Sequence, residues 1–279
     1  MCFSFNHLEW LVDTGEVYQT ADGTQVSVFE LTHGNDEAIL GDWAGHFRNN
    51  YCLDSIIDDL RDGTGLSRSD FLTTLIFPCD HAAPGPSIRA GDFAEILVAD
   101  YIEFRLGYQV PRLRWQSKAV RNESVKGSDI VGFLMAGARP SAQDRMLIAE
   151  AKATFSTQNL NRLQDAINDS AKDNLRIAET LNFLKRKYLE LHDDERSKLV
   201  ERFQNLTDNP YDNRYAAIAF VHTDHFDEQL ITQADSTQIP HNDGVRAHPY
   251  RDRLSILVFR GPAMMELVHS LYKRAADEA

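Results

Sequence analysis

The triplet Glu150-Ala151-Lys152 follows directly on an apolar run, residues 146–149. Such a run predicts a buried β-strand, and side chains two residues apart on a strand point to the same face. We therefore expect the Glu150 carboxylate and the Lys152 ammonium to lie side by side near the end of this strand. A carboxylate and a lysine in this arrangement can bind a divalent cation and position or deprotonate an attacking water molecule.

Asp129 offers a second carboxylate at the same place. It lies 21 residues before Glu150, at the start of the preceding predicted strand, and a hairpin of that length would bring the two side by side. Two carboxylates form an oxygen cage for Mg²⁺, with Mn²⁺ as a possible substitute, and the backbone carbonyl of Ala151 could add a ligand. Such an ion polarises a phosphodiester and lowers the pKa of the attacking water. These residues predict metal-dependent phosphodiester hydrolysis.

The setting of the triplet carries more weight than the triplet itself. With 42 acidic residues in a chain of 279, about one acid-x-lysine triplet arises by chance. The alternative interpretation is a solvated strand end with a surface ion pair. The buried strand, Asp129 at hairpin distance and an acid-bearing helix ahead of the sheet favour a metal site.

The elements that must position these residues follow from hydrophobic periodicity. Apolar spacings of three and four predict helices, and short apolar or alternating runs bounded by turn residues predict strands. Helices are predicted at 35–48, 51–61, 91–106, from 160 to about 178 and at 262–276. A hairpin is predicted at 16–32, and strands at 112–121, 129–135, 146–153, 215–221 and 253–259. From residue 90 onward this order predicts an α/β (α+β) fold with an αβββαβ core.

The charge is unevenly distributed along the chain. The formal net charge is −13, and residues 1–89 carry 14 acids against four arginines, a balance of −10. A stretch with two prolines and a glycine, 82–86, predicts the boundary between a smaller acidic N-terminal lobe and the remainder. We therefore predict an acidic lobe at 1–85, with helices and a hairpin, and a second domain at 86–279.

Residues 105–126, here called the basic strip, reverse this sign. They carry six basic residues and one acid, a balance of +5. Lysine and arginine side chains bind nucleic-acid phosphates, and we predict this role for Arg114, Arg121 and Lys126. A solvated charged face is the alternative. The negative net charge argues against tight binding of nucleic acid by this chain alone.

Several classes of protein are disfavoured by the sequence. No apolar run reaches the roughly 18 residues of a membrane span, and no secretory leader is visible, so a cytoplasmic location is expected. Cys2, Cys52 and Cys79 are too scattered for a zinc motif or a disulfide framework. The two histidines in 222–225 lack a third ligand, which favours a strand-end turn over a zinc site. No phosphate-binding Gly-x-x-x-x-Gly-Lys-Ser/Thr loop is present, so ATP binding is not expected.

Three segments of the chain resemble a known family when they are taken together. They are Gly91-Asp92-Phe93-Ala94-Glu95-Ile96-Leu97, Lys126-Gly127-Ser128-Asp129-Ile130 and Leu147-Ile148-Ala149-Glu150-Ala151-Lys152. They resemble the PD-(D/E)xK nuclease superfamily and, more narrowly, the HamA C-terminal-like domain, the nuclease subunit of the Hachiman antiphage defence system. The resemblance covers roughly residues 90–260 and implies a restriction-endonuclease-like core. Ser128 replaces the proline that the superfamily has before the aspartate.

The resemblance also implies a site and partners. It assigns catalysis to Glu95, Asp129, Glu150 and Lys152, and metal binding to the three carboxylates with the Ala151 carbonyl. The neighbours of Glu95 four and seven residues along its helix, Ala99 and Ile102, are apolar, so Glu95 is expected to face the core. The alternative is an exposed helix acid. The implied partners are DNA and a HamB-type superfamily 2 helicase.

Three functions compete on the sequence. The favoured one is a Mg²⁺-dependent deoxyribonuclease subunit of an antiviral defence complex, controlled by the partner helicase. The second is a catalytically silent DNA-binding subunit that regulates the helicase, since a fold alone does not establish activity. The third is a metal-independent structural protein with an accidental Glu-x-Lys. The acidic lobe is expected to dock on a basic partner surface or to keep DNA away from the site.

Overall fold

The computed structural model describes residues 4–171 and 174–279. Its centre is a six-stranded sheet with the strand order β1-β2-β8-β5-β4-β3, beside a separate ribbon of β6 and β7. The strands are β1 (Leu11–Gln19), β2 (Gln25–Leu31), β3 (Ile130–Leu134), β4 (Arg145–Thr154), β5 (Asp212–His222), β6 (Ile239–His241), β7 (Gly244–Arg246) and β8 (Leu254–Gly261).

Helices cover both faces of the sheet. They are α1 (Glu37–Tyr51), α2 (Ile57–Arg61), α3 (Arg68–Phe71), α4 (Gly85–Asp100), α5 (Leu113–Gln116), α6 (Arg162–Ser170), α7 (Asn174–Glu190), α8 (Asp194–Arg202), α9 (Gln229–Thr232) and α10 (Met264–Asp277). Single π-helical turns, Leu72–Ile76 and Tyr101–Arg105, continue α3 and α4. Within the described ranges, no helix is both long and apolar enough to cross a membrane.

The middle of the sheet is parallel and its edges are antiparallel. β4, β5, β8 and β2 pair in parallel, whereas β3 pairs with β4 and β1 with β2 in antiparallel fashion. Residues 215–221 of β5 are all buried, as expected for a strand with both faces covered. One core contains side chains of α1, α4 and α10, and the other contains side chains of α6, α7 and α8. The predicted α/β (α+β) class is confirmed.

Most of the predicted strands are present. The strands expected at 129–135, 146–153, 215–221 and 253–259 correspond to β3, β4, β5 and β8, and the expected hairpin is β1 with β2. The last helix, expected at 262–276, is α10. The hairpin carrying the candidate site, β3 and β4, is therefore the one that local sequence patterns predicted.

The strand expected at 112–121 is not formed. The chain forms the one-turn helix α5 there, and pairing with β3 is reduced to Gln109, whose N–H and C=O both bond the backbone of Phe133. Arg114 and Lys118 extend toward acidic side chains of α4. Alternation of basic and apolar residues looked like a half-buried strand, but the basic residues point inward. The αβββαβ order therefore loses its first strand.

Three helices differ markedly from their predicted limits. The helix expected at 51–61 is only the short α2, Ile57–Arg61. The helix expected at 91–106 already begins at Gly85, because the prolines of 82–86 lie at its first turn, where a helix needs no donor from the backbone. The single helix expected from 160 to 178 is two helices, α6 and α7. Residues 172 and 173, between them, lie outside the described part of the chain.

The N-terminal segment, residues 4–85, shares its sheet and core with the rest of the chain. β2 pairs in parallel with β8, and α1 packs on α10. Trp43 and Phe47 of α1 lie in the same core as Tyr272 of α10. The segments on either side of 82–86 therefore share one sheet and one core. The sequence did not predict this, because long-range strand pairing leaves no signal in the local sequence.

A chain that begins at residue 86 is expected not to fold. The deletion removes the neighbour of β8 and takes Trp43 and Phe47 out of the core, and losing one buried aromatic side chain costs about 3–5 kcal/mol. Whole domains are stable by only about 5–15 kcal/mol. Urea unfolding followed by circular dichroism should show no cooperative transition for this fragment. A transition like that of the full chain would contradict the shared core.

Candidate active site

The antiparallel register of β3 and β4 brings Asp129 opposite Glu150. Ile130 pairs with Ala149, so Asp129 and Glu150 are the next pair along the hairpin. The backbone N–H of Asp129 donates to Glu150 Oε1, at 3.4 Å. The N–H of Ala151 donates to Asp129 Oδ2, at 3.3 Å. The two carboxylates singled out in the sequence therefore meet at the end of one hairpin.

This end of β4 is open on the side of β3. β3 begins at Ile130, whereas β4 continues to Thr154, so in the described part of the chain 150–154 have no strand partner on that side. The N–H of Ala151 points to Asp129, and in an extended strand the carbonyl of the same residue points to the same side. The Ala151 carbonyl oxygen and the Asp129 carboxylate can therefore lie at the same uncovered edge of β4.

The turn before Asp129 depends on a glycine. Gly127 has a φ of +118°, which side chains other than glycine rarely adopt, and a Cβ there would lie 3.2 Å from Thr180 Oγ1. The same hydroxyl accepts a hydrogen bond from the Ser128 N–H at 3.2 Å. The turn is therefore fastened to α7, and this contact fixes where β3 begins.

Glu95 is buried on α4 and meets an arginine. Its Oε2 accepts hydrogen bonds from Arg114 Nε at 3.1 Å and from Trp115 Nε1 at 3.2 Å. Nη2 of Arg114 also lies 3.1 Å from Asp129 Oδ1. Burial, reinforced by the Asp129 charge and opposed by Arg114, raises the pKa of Glu95 to about 8. One guanidinium thus joins Glu95 to the Asp129 and Glu150 pair.

Lys152 faces α6 rather than bulk solvent. Its Nζ lies 2.5 Å from Asp169 Oδ2, and both residues line a surface cavity of about 300 Å³ together with Arg162, Asp165 and Asn168. Burial alone would lower the pKa of Lys152, but the bond to Asp169 and the charges of Asp129 and Glu150 raise it above its ordinary value. The ammonium is therefore cationic at neutral pH. Sequence reasoning missed Asp169, because the contact depends on how α6 packs on β4.

The HamA family model matches residues 6–275 of this chain. The chain belongs to the HamA family. Membership in HamA supports a role in Hachiman antiphage defence. The resemblance seen in the sequence began at about residue 90, whereas the family model begins at residue 6. The model therefore includes the N-terminal segment. No curated protein matches the chain.

Three of the six basic residues of the strip in this HamA protein turn inward. The ion pairs are Lys118 with Asp92, Arg114 with Glu95, and Arg112 with Asp100 and Glu103. All four acids belong to α4 or to the π-helical turn that follows it. A buried carboxylate is costly without a partner of opposite charge. The strip therefore neutralises an acidic helix in addition to any contact with nucleic acid.

The three residues predicted to bind phosphates lie in different surroundings. The Arg114 side chain is only 12% exposed and is engaged with Glu95 and Asp129. Arg121 Nη1 donates to the Thr73 carbonyl at 2.6 Å. Lys126 is exposed. For all three residues, binding of nucleic acid stays a prediction.

Two other groups of side chains of the types that can bind metals lie elsewhere. His222 Nδ1 lies 3.1 Å from the backbone nitrogen of Asp224 and Nε2 lies 3.0 Å from that of Ala263, which indicates a structural role at the end of β5. Among the described residues, the one set of three His, Cys, Asp or Glu side chains whose ligand atoms all lie within 4.8 Å is Cys79, Asp80 and His81. Cys52 and Cys79 are free thiols, and Cys2 lies outside the described residues.

Proposed function

We propose that this chain is the nuclease subunit of a Hachiman complex and hydrolyses DNA phosphodiesters with Mg²⁺ held by Asp129 and Glu150. One observation carries the proposal: the two carboxylates stand opposite each other at the open end of β4, and Lys152 follows two residues later on the same strand. The arrangement agrees with the PD-(D/E)xK pattern found in the sequence.

The donor set fits a hard divalent cation. Asp129, Glu150 and the Ala151 carbonyl are all oxygen donors, the ligands that Mg²⁺ and Mn²⁺ prefer. Glu95 is the further carboxylate linked to them through Arg114. When bound, the ion polarises the phosphodiester and lowers the pKa of a coordinated water. Asp129 and Glu150 would hold it at the edge of the sheet, where β3 leaves β4 uncovered.

Lys152 acts in this proposal as a fixed positive charge rather than as a base. Its Nζ is held 2.5 Å from the Asp169 carboxylate, and this ion pair favours the protonated form. A cation held in a partly buried site stabilises the negative charge that develops on the phosphate oxygens. Asp169 is then a positioning residue, since it holds Lys152 Nζ from the side of α6.

DNA is proposed to reach the site past the turn that precedes Asp129. A cavity of about 210 Å³ lies against this turn, with Lys126 and Asp129 on one side and Phe183 and Leu184 of α7 on the other. Exposed Lys126 can bind a phosphate that flanks the cut. The chain as a whole carries a charge of −13, so a second protein is needed to concentrate DNA at the site. A HamB-type helicase partner fits this requirement.

Cleavage by the purified chain, with and without a HamB-type helicase and ATP, tests the proposal. We expect cutting that requires Mg²⁺ or Mn²⁺, stops on addition of EDTA and increases with the partner. Linear, circular, single-stranded and duplex substrates separate nicking from degradation. A complex that assembles and binds DNA but never cuts it would favour the catalytically silent regulatory subunit. The engagement of the carboxylates by Arg114 is the observation that keeps this second function open.

A further inference from the structure

We propose that Arg114 is an internal counter-cation that competes with the catalytic metal and must withdraw before the metal binds. This inference rests on the proposed function and concerns how that same site is restrained. It assigns Arg114 neither to the DNA surface nor to the set of metal ligands, but to the closed state of the site.

All three nitrogens of the Arg114 guanidinium are engaged. Nε lies 3.1 Å from Glu95 Oε2, Nη2 lies 3.1 Å from Asp129 Oδ1, and Nη1 donates to the Ser128 carbonyl at 3.0 Å. A planar guanidinium suits such forked recognition of carboxylates. The group therefore stands between the α4 carboxylate and the β3 carboxylate.

A divalent cation cannot use these oxygens in the same geometry. Mg²⁺ binds its oxygen ligands at about 2.0–2.1 Å with nearly octahedral directions, so it must occupy the space that lies between the carboxylates. The guanidinium bridges Glu95 and Asp129 and engages Asp129 Oδ1, one of the oxygens that the ion would use, and Glu95, Asp129 and Glu150 do not form a set of three with ligand atoms all within 4.8 Å. Two cations in one gap would also repel each other. Arg114 and the metal are therefore alternatives.

A cavity beside Asp129 is where the withdrawn guanidinium would lie. The cavity of about 210 Å³ beside Asp129 is lined by Arg114 itself and by the Glu179 carboxylate on α7. In this proposal the guanidinium turns into this cavity while α5 stays in place. α5 itself is held by Leu113 and Trp115, which are 9% and 2% exposed. A partner or DNA strand that stabilises the withdrawn position would open the site to the metal.

Titration of Mn²⁺ into the full chain by calorimetry tests this competition without any measurement of activity. We expect Arg114→Gln to bind Mn²⁺ about tenfold more tightly than the wild type, since a neighbouring positive charge is removed. Arg114→Lys keeps the charge but lacks the planar guanidinium, so its Mn²⁺ affinity should lie between those of the wild type and Arg114→Gln. This variant also tests the competition if the glutamine variant fails to fold. The control Arg214→Gln removes a half-exposed charge paired with Asp212 and should leave the affinity unchanged.

The outcomes separate this inference from the proposed function. Mn²⁺ affinity that is equal to that of the wild type, or weaker, in both Arg114 variants would show that Arg114 positions the ligands, and would overturn the competition while leaving the metal site standing. Tighter binding that disappears when Glu150→Gln is added would support both. Lack of Mn²⁺ binding in every variant would overturn the metal site itself.

Discussion

Replacing Lys152 with methionine should lower the rate of DNA cleavage by about 10³-fold, because the variant loses the fixed positive charge beside the phosphate. Metal affinity should change little, since Lys152 contributes no ligand. Single-turnover cleavage, measured together with Mn²⁺ titration, separates the two effects. Lys273→Met, which removes an exposed lysine from α10, is the matched control and should cut at the wild-type rate.

Asp169, the ion-pair partner of Lys152, allows a second test of this prediction. Asp169→Asn leaves the ammonium in place but removes the carboxylate 2.5 Å from Nζ, so we expect a smaller loss of rate than for Lys152→Met. Wild-type cleavage by Lys152→Met would remove Lys152 from the catalytic machinery. A loss of metal binding in the same variant would mean that its effect is structural.

Replacing Asp100 with asparagine should destabilise the fold by about 3–5 kcal/mol, the cost of breaking a buried ion pair on one side. Asp100 is fully buried and accepts hydrogen bonds from His7 Nε2 at 3.1 Å and His46 Nε2 at 2.8 Å. Arg112 Nη1 lies 2.8 Å from its Oδ1. This carboxylate ties the N-terminal residues, α1 and the basic strip to the end of α4.

The loss should depend on pH. Burial raises the pKa of a carboxyl, but the charges of His46 and Arg112 and the hydrogen bonds from both histidines hold the pKa of Asp100 well below its ordinary value. Its contribution to the free energy of unfolding is therefore present above about pH 4 and decreases as the pH falls further. The difference between wild type and Asp100→Asn should shrink over the same range.

Urea unfolding followed by tryptophan fluorescence measures this effect, and Trp43, stacked on His7 with ring centroids 4.7 Å apart, lies beside the change. Asp58→Asn is the control, because Asp58 pairs with Arg61 and Arg68 at the surface and an exposed pair contributes at most about 1 kcal/mol. Equal loss of stability in the two variants would contradict the structural role of Asp100.

Local patterns in the sequence were sufficient to predict the hairpin of the candidate site. The apolar run at 146–149 and the turn with Gly127 predict β4 and the start of β3. Strand alternation then predicts that Glu150 and Lys152 share a face. The antiparallel hairpin length brings Asp129 opposite Glu150, and the register of the sheet agrees. These features are visible because each depends on residues close together in the chain.

The placement of the N-terminal segment could not be predicted in this way. β2 pairs with β8 across about 230 residues, and parallel pairing leaves no turn signal between the partners. Asp22, at the β1–β2 turn, accepts a hydrogen bond from Ser236 Oγ at 2.6 Å and pairs with Arg251 at 2.7 Å. Composition suggested a separate acidic lobe, but such long-range contacts make it part of one core.

The acids of α4 contain the signal for the structural role of the basic strip, which is to pair with them. An apolar helix with acids at Asp92, Glu95 and Asp100 must find positive partners if it is buried, because an unpaired buried charge is costly. Apart from Arg89 of α4 itself, the nearest basic residues in the sequence are those of the strip, and the structure pairs the two. These ion pairs direct the basic side chains of 112–121 toward α4, and the chain forms α5 there instead of the expected strand.

Cleavage by Asp129→Asn and Glu150→Gln is the most direct test of the proposed metal centre. Both variants, purified with the HamB-type partner, would be compared with the wild type and with Glu266→Gln, an exposed acid of α10, in Mg²⁺, Mn²⁺ and EDTA. We expect each site variant to lose about 10³-fold or more in rate, and the control to cut like the wild type. Metal-dependent cleavage at the wild-type rate by either site variant would contradict the assignment of Asp129 and Glu150 as the metal-binding carboxylates.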